Sequence, residues 1–408
     1  MRRMNALIWC IAIFALGTGE SAAQGTETVL YSFGANSSDA IDPSGRLIFD
    51  NVGNLYGTTQ GGGSSGFGTA YELSPSDAGW RESVIYNFCS AGFPNCSDGN
   101  TPGYGMVLDG QGNLYGSTSA GGTGSHCPGQ DACGVVFELS ASPGGLWNET
   151  VLWSFGNSAG DGCGPGELTW DISGNLYGVA GGCGRHGGGA VFELSPPSAG
   201  NGDWTETILY SFCPGGTPCS DGSEPVEGVV FDAAGNLYGA TLKGGAYGGG
   251  VVYELSPPVL GDAWTEAVLL TLREKTGIHP EAGVSIDQTG NVYGTAATGG
   301  LYDSGTAFRL TPGSGGVWQA QEFAFDGTKG RPNSAPLIED RSIYGTTGGS
   351  VFRFVGKNEA VVYRFCSQPN CADGGPTSGP VIESAGSLYG VASSGGAHEN
   401  GVVYQISP

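Results

Sequence analysis

Gly-Asn-Leu-Tyr-Gly and its close variants recur seven times along this chain, carrying Tyr56, Tyr115, Tyr177, Tyr238, Tyr293, Tyr344 and Tyr389. Successive tyrosines stand 59, 62, 61, 55, 51 and 45 residues apart. A fixed phrase at that period marks a repeat architecture, which constrains the fold more than any composition figure does.

Each unit holds four strand-like runs. In the first they are Arg46–Phe49, Leu55–Thr58, Thr69–Leu73 and Val84–Phe88. The runs are rich in β-branched and aromatic residues, and glycines (78 of 408 residues) cluster between them, the alternation of strand and tight turn. No 3.6-residue period is present, and a β-helix repeat would be much shorter. Four antiparallel strands per unit predict an all-β, seven-bladed β-propeller. Before the first complete unit stands an orphan fourth-type run, Val29–Phe33, and the last unit stops after its third run, Val402–Ser407. The orphan strand is expected to complete the last blade and remove an open edge. The expected blades span 42–88, 104–155, 166–212, 226–272, 282–325, 335–365, and 379–408 together with 28–33.

Asp50, Asp109, Asp171, Asp232 and Asp287 each open an Asp-x-x-Gly-Asn turn between the first two runs, and a turn role accounts for them. Trp80, Trp147, Trp204, Trp264 and Trp318 open fourth runs and are read as packing between units. Glu72, Glu138, Glu193 and Glu254 occupy one third-run position that becomes Arg309 and Arg353 in blades five and six, a change read as drift on a solvated face.

Gly53–Ser74 and Gly235–Ser256 carry Gly-Asn-Leu-Tyr-Gly, a Gly-Gly loop and an aromatic-Glu-Leu-Ser strand. In this the chain resembles the GloVer-type tandem-repeat family of secreted bacterial proteins. The resemblance implies an exported propeller and brings no activity or catalytic residue with it.

Residues 1–23 read as a cleaved signal peptide: Arg2 and Arg3, the short apolar run Leu7–Leu16, then Ser21-Ala22-Ala23. Residues 24–408 form the propeller domain. That remainder holds 13 basic and 37 acidic residues, a net charge of −24, which repels phosphate backbones and argues against a nucleic-acid partner. No later run is long enough to span a membrane. A secreted or periplasmic monomer without cofactor is expected.

Ten cysteines follow the signal segment. Spacing pairs Cys89 with Cys96, Cys127 with Cys133, Cys213 with Cys219 and Cys366 with Cys371, leaving Cys163 for Cys183. No Cys-x-x-Cys occurs and the four histidines are scattered, so zinc is not expected. All ten belong to loops on one face of the disc. The same face should carry His126, His186, His279, His398, the Gly-Gly loops and four Asp-Gly steps. Asp98, Asp161, Asp221 and Asp373 of those steps are the candidate ligand contacts, with loop capping as the competing role. The expected function is an exported, non-catalytic binding or scaffold protein for an extracellular glycan or protein. The alternative is a polysaccharide hydrolase or lyase, for which no Ser-His-Asp set or carboxylate pair is visible in the sequence. Carboxylates gathered at the central channel would favour the enzyme.

Overall fold

The computed structural model describes residues 25–127, 133–158, 160–198, 202–259, 261, 263–327, 330–377 and 379–407. The expected signal peptide lies outside them. Seven antiparallel sheets stand in a ring, and the chain runs from the innermost to the outer strand within each of the first six. The seventh is closed by the N-terminal strand: Thr26–Ser32 pairs with Val402–Ser407 from Thr26↔Ser407 to Ser32↔Val402. Most strands outrun the sequence reading. In blade 1 they are Ala40–Phe49, Leu55–Gly62, Thr69–Ser76 and Gly79–Asn87. In blades 3 and 4 the first strand is split, Gly162–Pro165 from Thr169–Trp170 and Ser223–Pro225 from Val230–Phe231.

The shared phrase is explained by one hydrogen-bonded turn. Asp50 Oδ1 accepts the N–H groups of Val52 and Asn54, while Oδ2 accepts Asn54 Nδ2 and the Tyr56 hydroxyl. Asp109, Asp171, Asp232 and Asp287 repeat the pattern. The carboxylate thus fixes the hairpin and aims the tyrosine ring into the next blade. There the ring meets the tryptophan that opens the neighbour's outer strand. Tyr56 and Trp147 lie 6.0 Å apart, Tyr115 and Trp204 6.4 Å, Tyr238 and Trp318 6.0 Å. Tyr177 shares a core cluster with Trp264, and Tyr389 shares one with Trp80. These tryptophans are inter-blade packing.

Candidate functional sites

The connections between second and third strands, and those between blades, project from one face of the disc. Five disulfides staple them: Cys89–Cys96, Cys127–Cys133, Cys163–Cys183, Cys213–Cys219 and Cys366–Cys371. Such a set fits folding in an extracellular or periplasmic compartment. Sulfurs of Cys133, Cys163 and Cys183 lie within 4.8 Å of one another, but each is already bonded in a disulfide.

The four candidate aspartates sit beneath this face, each at a different blade interface. Asp98, Asp161, Asp221 and Asp373 are all buried. Each accepts hydrogen bonds from its own loop, three of them also from a tyrosine of the preceding outer strand, while Asp98 Oδ1 is buried without a hydrogen-bond partner. Asp98 accepts Tyr86 Oη and Ser90 N, both at 2.9 Å. Asp221 accepts Tyr210 Oη and Cys213 N, both at 2.9 Å. Asp373 accepts Tyr363 Oη, Ser367 N and Ser367 Oγ. Asp161 accepts Asn157 N and Gly162 N. Asp39, which the sequence reading passed over, does the same with Gly34 N and Ala35 N. A buried carboxyl group needs such partners, and here the loop and the preceding strand supply them.

Side chains free to meet a ligand stand above. Five of the second-to-third-strand loops close with the same four-residue turn, the fourth N–H bonding to the first carbonyl. These bonds run from Gly66 to Gly63, Gly187 to Gly184, Gly248 to Gly245, Asp303 to Gly300 and Glu399 to Gly396. Its third position holds Ser65, His186, Tyr247, Tyr302 and His398. Both histidines are exposed, as are Tyr247 (64%) and Tyr302 (58%). The first residue of these turns adopts a positive φ, and a Cβ on Gly245 would come within 2.7 Å of Val251, which explains the Gly-Gly pairs. Phe93, another exposed ring on this face, stacks on Phe67 at 5.9 Å. The Arg273 guanidinium lies 6.0 Å over the Tyr247 ring. His279 lines a shallow cleft with these two residues, whereas His126 bonds to Gly156 O. The histidines do not converge. The sequence shows that Gly-Gly loops recur on this face, but not that one turn position carries the rings.

A second constellation, missed by the sequence reading, lies on the innermost strands. The positions just before the buried Leu47, Met106, Leu168, Val229 and Val284 hold Arg46, Gly105, Glu167, Gly228 and Gly283. One step earlier stand Gly45, Tyr104, Gly166, Glu227 and Ala282. Here neighbouring blades touch backbone to backbone: a Cβ on Gly45 would lie 2.4 Å from Gly105 N, and Glu167 N donates to Glu227 O at 2.6 Å. The contact between Glu167 and Glu227 is where blades 3 and 4 interrupt their first strands. Arg46 Nε pairs with Glu167 Oε1 at 2.7 Å, bridging across blade 2. Glu227, at φ +49°, accepts Gly283 N at 2.8 Å. Burial and the neighbouring Glu167 push its carboxyl up to about 7, against the pull of Gly283 N–H and Arg46. Burial and Glu227 together raise the Tyr104 phenol. Unlike polar groups from four blades therefore do meet around the channel.

Residues 13–219, 164–365 and 265–408 match the Gloeobacter/Verrucomicrobia repeat, and the chain belongs to that family. No curated protein matches it in sequence. Among solved structures it is similar to virginiamycin B lyase from Staphylococcus aureus, at 10% identity and TM-score 0.56, covering 94% of this chain and 98% of that one. A streptogramin B lyase aligns at 12% identity and TM-score 0.56, over 94% and 98% of the two chains. PorZ, a surface component of the type-IX secretion system of Porphyromonas gingivalis, aligns at 12% and 0.51, over 89% of this chain and 46% of its own. At these identities the likeness concerns the fold alone.

Proposed function

We propose that this member of the Gloeobacter/Verrucomicrobia repeat family is an exported, non-catalytic binding protein whose disulfide-stapled loop face engages an extracellular glycan. One observation carries the reading: a single turn position, repeated around the face, holds the exposed rings of His186, Tyr247, Tyr302 and His398. Rings held on short, tight turns offer flat apolar faces at low entropic cost, which suits sugar rings. Asp98, Asp161, Asp221 and Asp373 enter this reading as the groups that hold the loops beneath the rings. A glycan binding screen tests it, using wild type and a Tyr247→Ala/Tyr302→Ala variant. The variant should bind the retained glycan about tenfold more weakly or worse, with an unchanged melting curve. Equal binding by the two proteins contradicts the reading, and so does cleavage of the glycan.

The channel favours a second reading. A carboxyl near neutrality (Glu227) beside an ion-paired carboxylate (Glu167) is the kind of split environment that serves acid–base chemistry. If a polysaccharide is cleaved, Glu227→Gln should abolish turnover and leave loop-face binding intact. Undiminished turnover in that variant rules the channel out.

A further inference from the structure

Five of the seven blade interfaces are sealed by a tryptophan, and two are not. Trp147, Trp204, Trp264 and Trp318 stand two residues before Glu149, Glu206, Glu266 and Ala320, which pair with Leu139, Leu194, Leu255 and Leu310. Trp80 does the same before Glu82, opposite Leu73. The register puts Lys357 in that place in blade 6, two before Glu359 opposite Phe354, and Gly25 in blade 7, two before Glu27 opposite Ile406. Tyr293 and Tyr344 are thus the two signature tyrosines whose neighbour brings no indole. Clefts open beside both, of about 720 Å³ at Tyr293 and about 420 Å³ at Tyr344.

A second change coincides with the first. The residue paired with the signature tyrosine is Glu72, Glu138, Glu193, Glu254 or Gln405 in the five sealed interfaces. In the two open ones it is Arg309 and Arg353. Drift on a solvated face would not confine the charge reversal to the interfaces that lost the ring. The two clefts also differ. Beside Tyr344, Glu339, Asp340 and Glu383 line the wall with Arg353. Beside Tyr293 the cations are Arg309 and Arg341, and the acid present, Asp287, is already committed to its turn through Asn291, Thr289 and Tyr293. Arg309 donates Nη2 to Gln321 Oε1 at 2.8 Å, and its charge lies against the Tyr293 hydroxyl. Phe323 and Phe354 supply the apolar part of the wall. Two cations around an open ring-sized gap are out of keeping with a chain of net charge −23.

We infer that the cleft between blades 5 and 6 is a binding site for a ring-bearing carboxylate. The ligand ring takes the place the tryptophan holds elsewhere, against Tyr293, and its carboxylate meets Arg309 and Arg341. A guanidinium fork suits a carboxylate, and two guanidinium groups line this one cleft. The site is separate from the loop face, so its failure would leave the glycan reading standing.

Two sources of that chemistry are separable by calorimetric titration of the full chain. Glucuronate represents a uronic acid residue and 4-hydroxybenzoate an aromatic acid, with glucose and phenol as uncharged counterparts. At least one acid should bind, at least about tenfold tighter than its counterpart. Lys357→Trp should abolish that binding by filling the gap, whereas Lys357→Gln should retain it. Arg309→Gln should weaken it about tenfold or more without shifting the melting curve. The inference is overturned if neither acid binds at millimolar concentration, or if Lys357→Trp binds as well as wild type. It also fails if Lys357→Gln alone removes binding, because the lysine charge rather than the gap would then be responsible.

Discussion

The interface between blades 2 and 3 and that between blades 5 and 6 are built on one register, Tyr115 opposite Glu138 in the first and Tyr293 opposite Arg309 in the second. In the first, Tyr115 meets Trp170 at 4.7 Å and Trp204 at 6.4 Å, so the indoles cover the signature tyrosine, and the cleft of about 520 Å³ lined by Asp161 and Glu206 lies away from it. Toward the loop face of that interface, Glu206 lies against Asp161, two acceptors that can bond only through a shared proton. Burial, then Asp161, push the Glu206 carboxyl up to about 9. In the second interface the indole is missing and a cation faces the gap. Features that blades share close the ring, and departures from the repeat are where a ligand finds room. The channel set obeys the same division, and at the loop tips the turn is shared while its third residue departs, from Ser65 to His186, Tyr247, Tyr302 and His398.

Removing the seal should cost most. Trp204→Ala strips the ring from Tyr115, and a loss of about 3 kcal/mol is expected in denaturant unfolding. A cost below about 1 kcal/mol would mean that the indole covers the interface without holding it.

Acid dependence comes next. Glu206 belongs to a set: Glu27, Glu82, Glu149 and Glu266 face Asp373, Asp39, Asp98 and Asp221 across their interfaces, and burial with these partners raises each to about 7. The tyrosines facing them are Tyr404 and Tyr363, Tyr71 and Tyr31, Tyr86, and Tyr253 and Tyr210. All have raised folded values against 4.5 in the unfolded chain, so the folded state holds extra protons. Their contribution is complete below about pH 4.5 and is lost as pH rises through 7, toward 9 for Glu206. The melting temperature should fall from pH 5 to pH 9, and Glu206→Gln should flatten the upper part of that fall. A melting temperature that climbs over this range contradicts the shared-proton account.

Two smaller effects sharpen the contrast. Asp171→Ala removes the acceptor of one shared hairpin and should cost about 1 kcal/mol without touching binding at either candidate site. Lys357→Trp should stabilise the open interface by less than about 1 kcal/mol, since it buries apolar surface against Tyr293. Destabilisation by that substitution would show that the blade 5–6 gap is too narrow for a ring.

The ring and its closure were legible because the signature phrase carries its own phase, and because Val29–Phe33 had no partner within its own unit. The turn role of Asp50 and its equivalents was legible for a local reason: donor and acceptor are two to six residues apart. The channel set was not. Arg46 and Glu167 are each unique to their blade, and only ring closure brings them to 2.7 Å. In sequence Arg309 and Arg353 look like drift, because their coincidence with Lys357 and Gly25 appears only once neighbouring blades are stacked. Asp98, Asp161, Asp221 and Asp373 were visible as a repeat. Their burial was not, since it depends on Tyr86, Tyr210 and Tyr363 reaching them from the preceding outer strand.

Hydroxyl-radical footprinting with and without the glycan retained in the binding screen tests most directly whether binding belongs to the departures from the repeat. The account predicts protection of Tyr247 and Tyr302 at the loop tips. It predicts no change at the interface indoles Trp147 and Trp204, or at Ile172 on an exposed shared hairpin. Protection of the hairpin face, or of all seven blades alike, would contradict it.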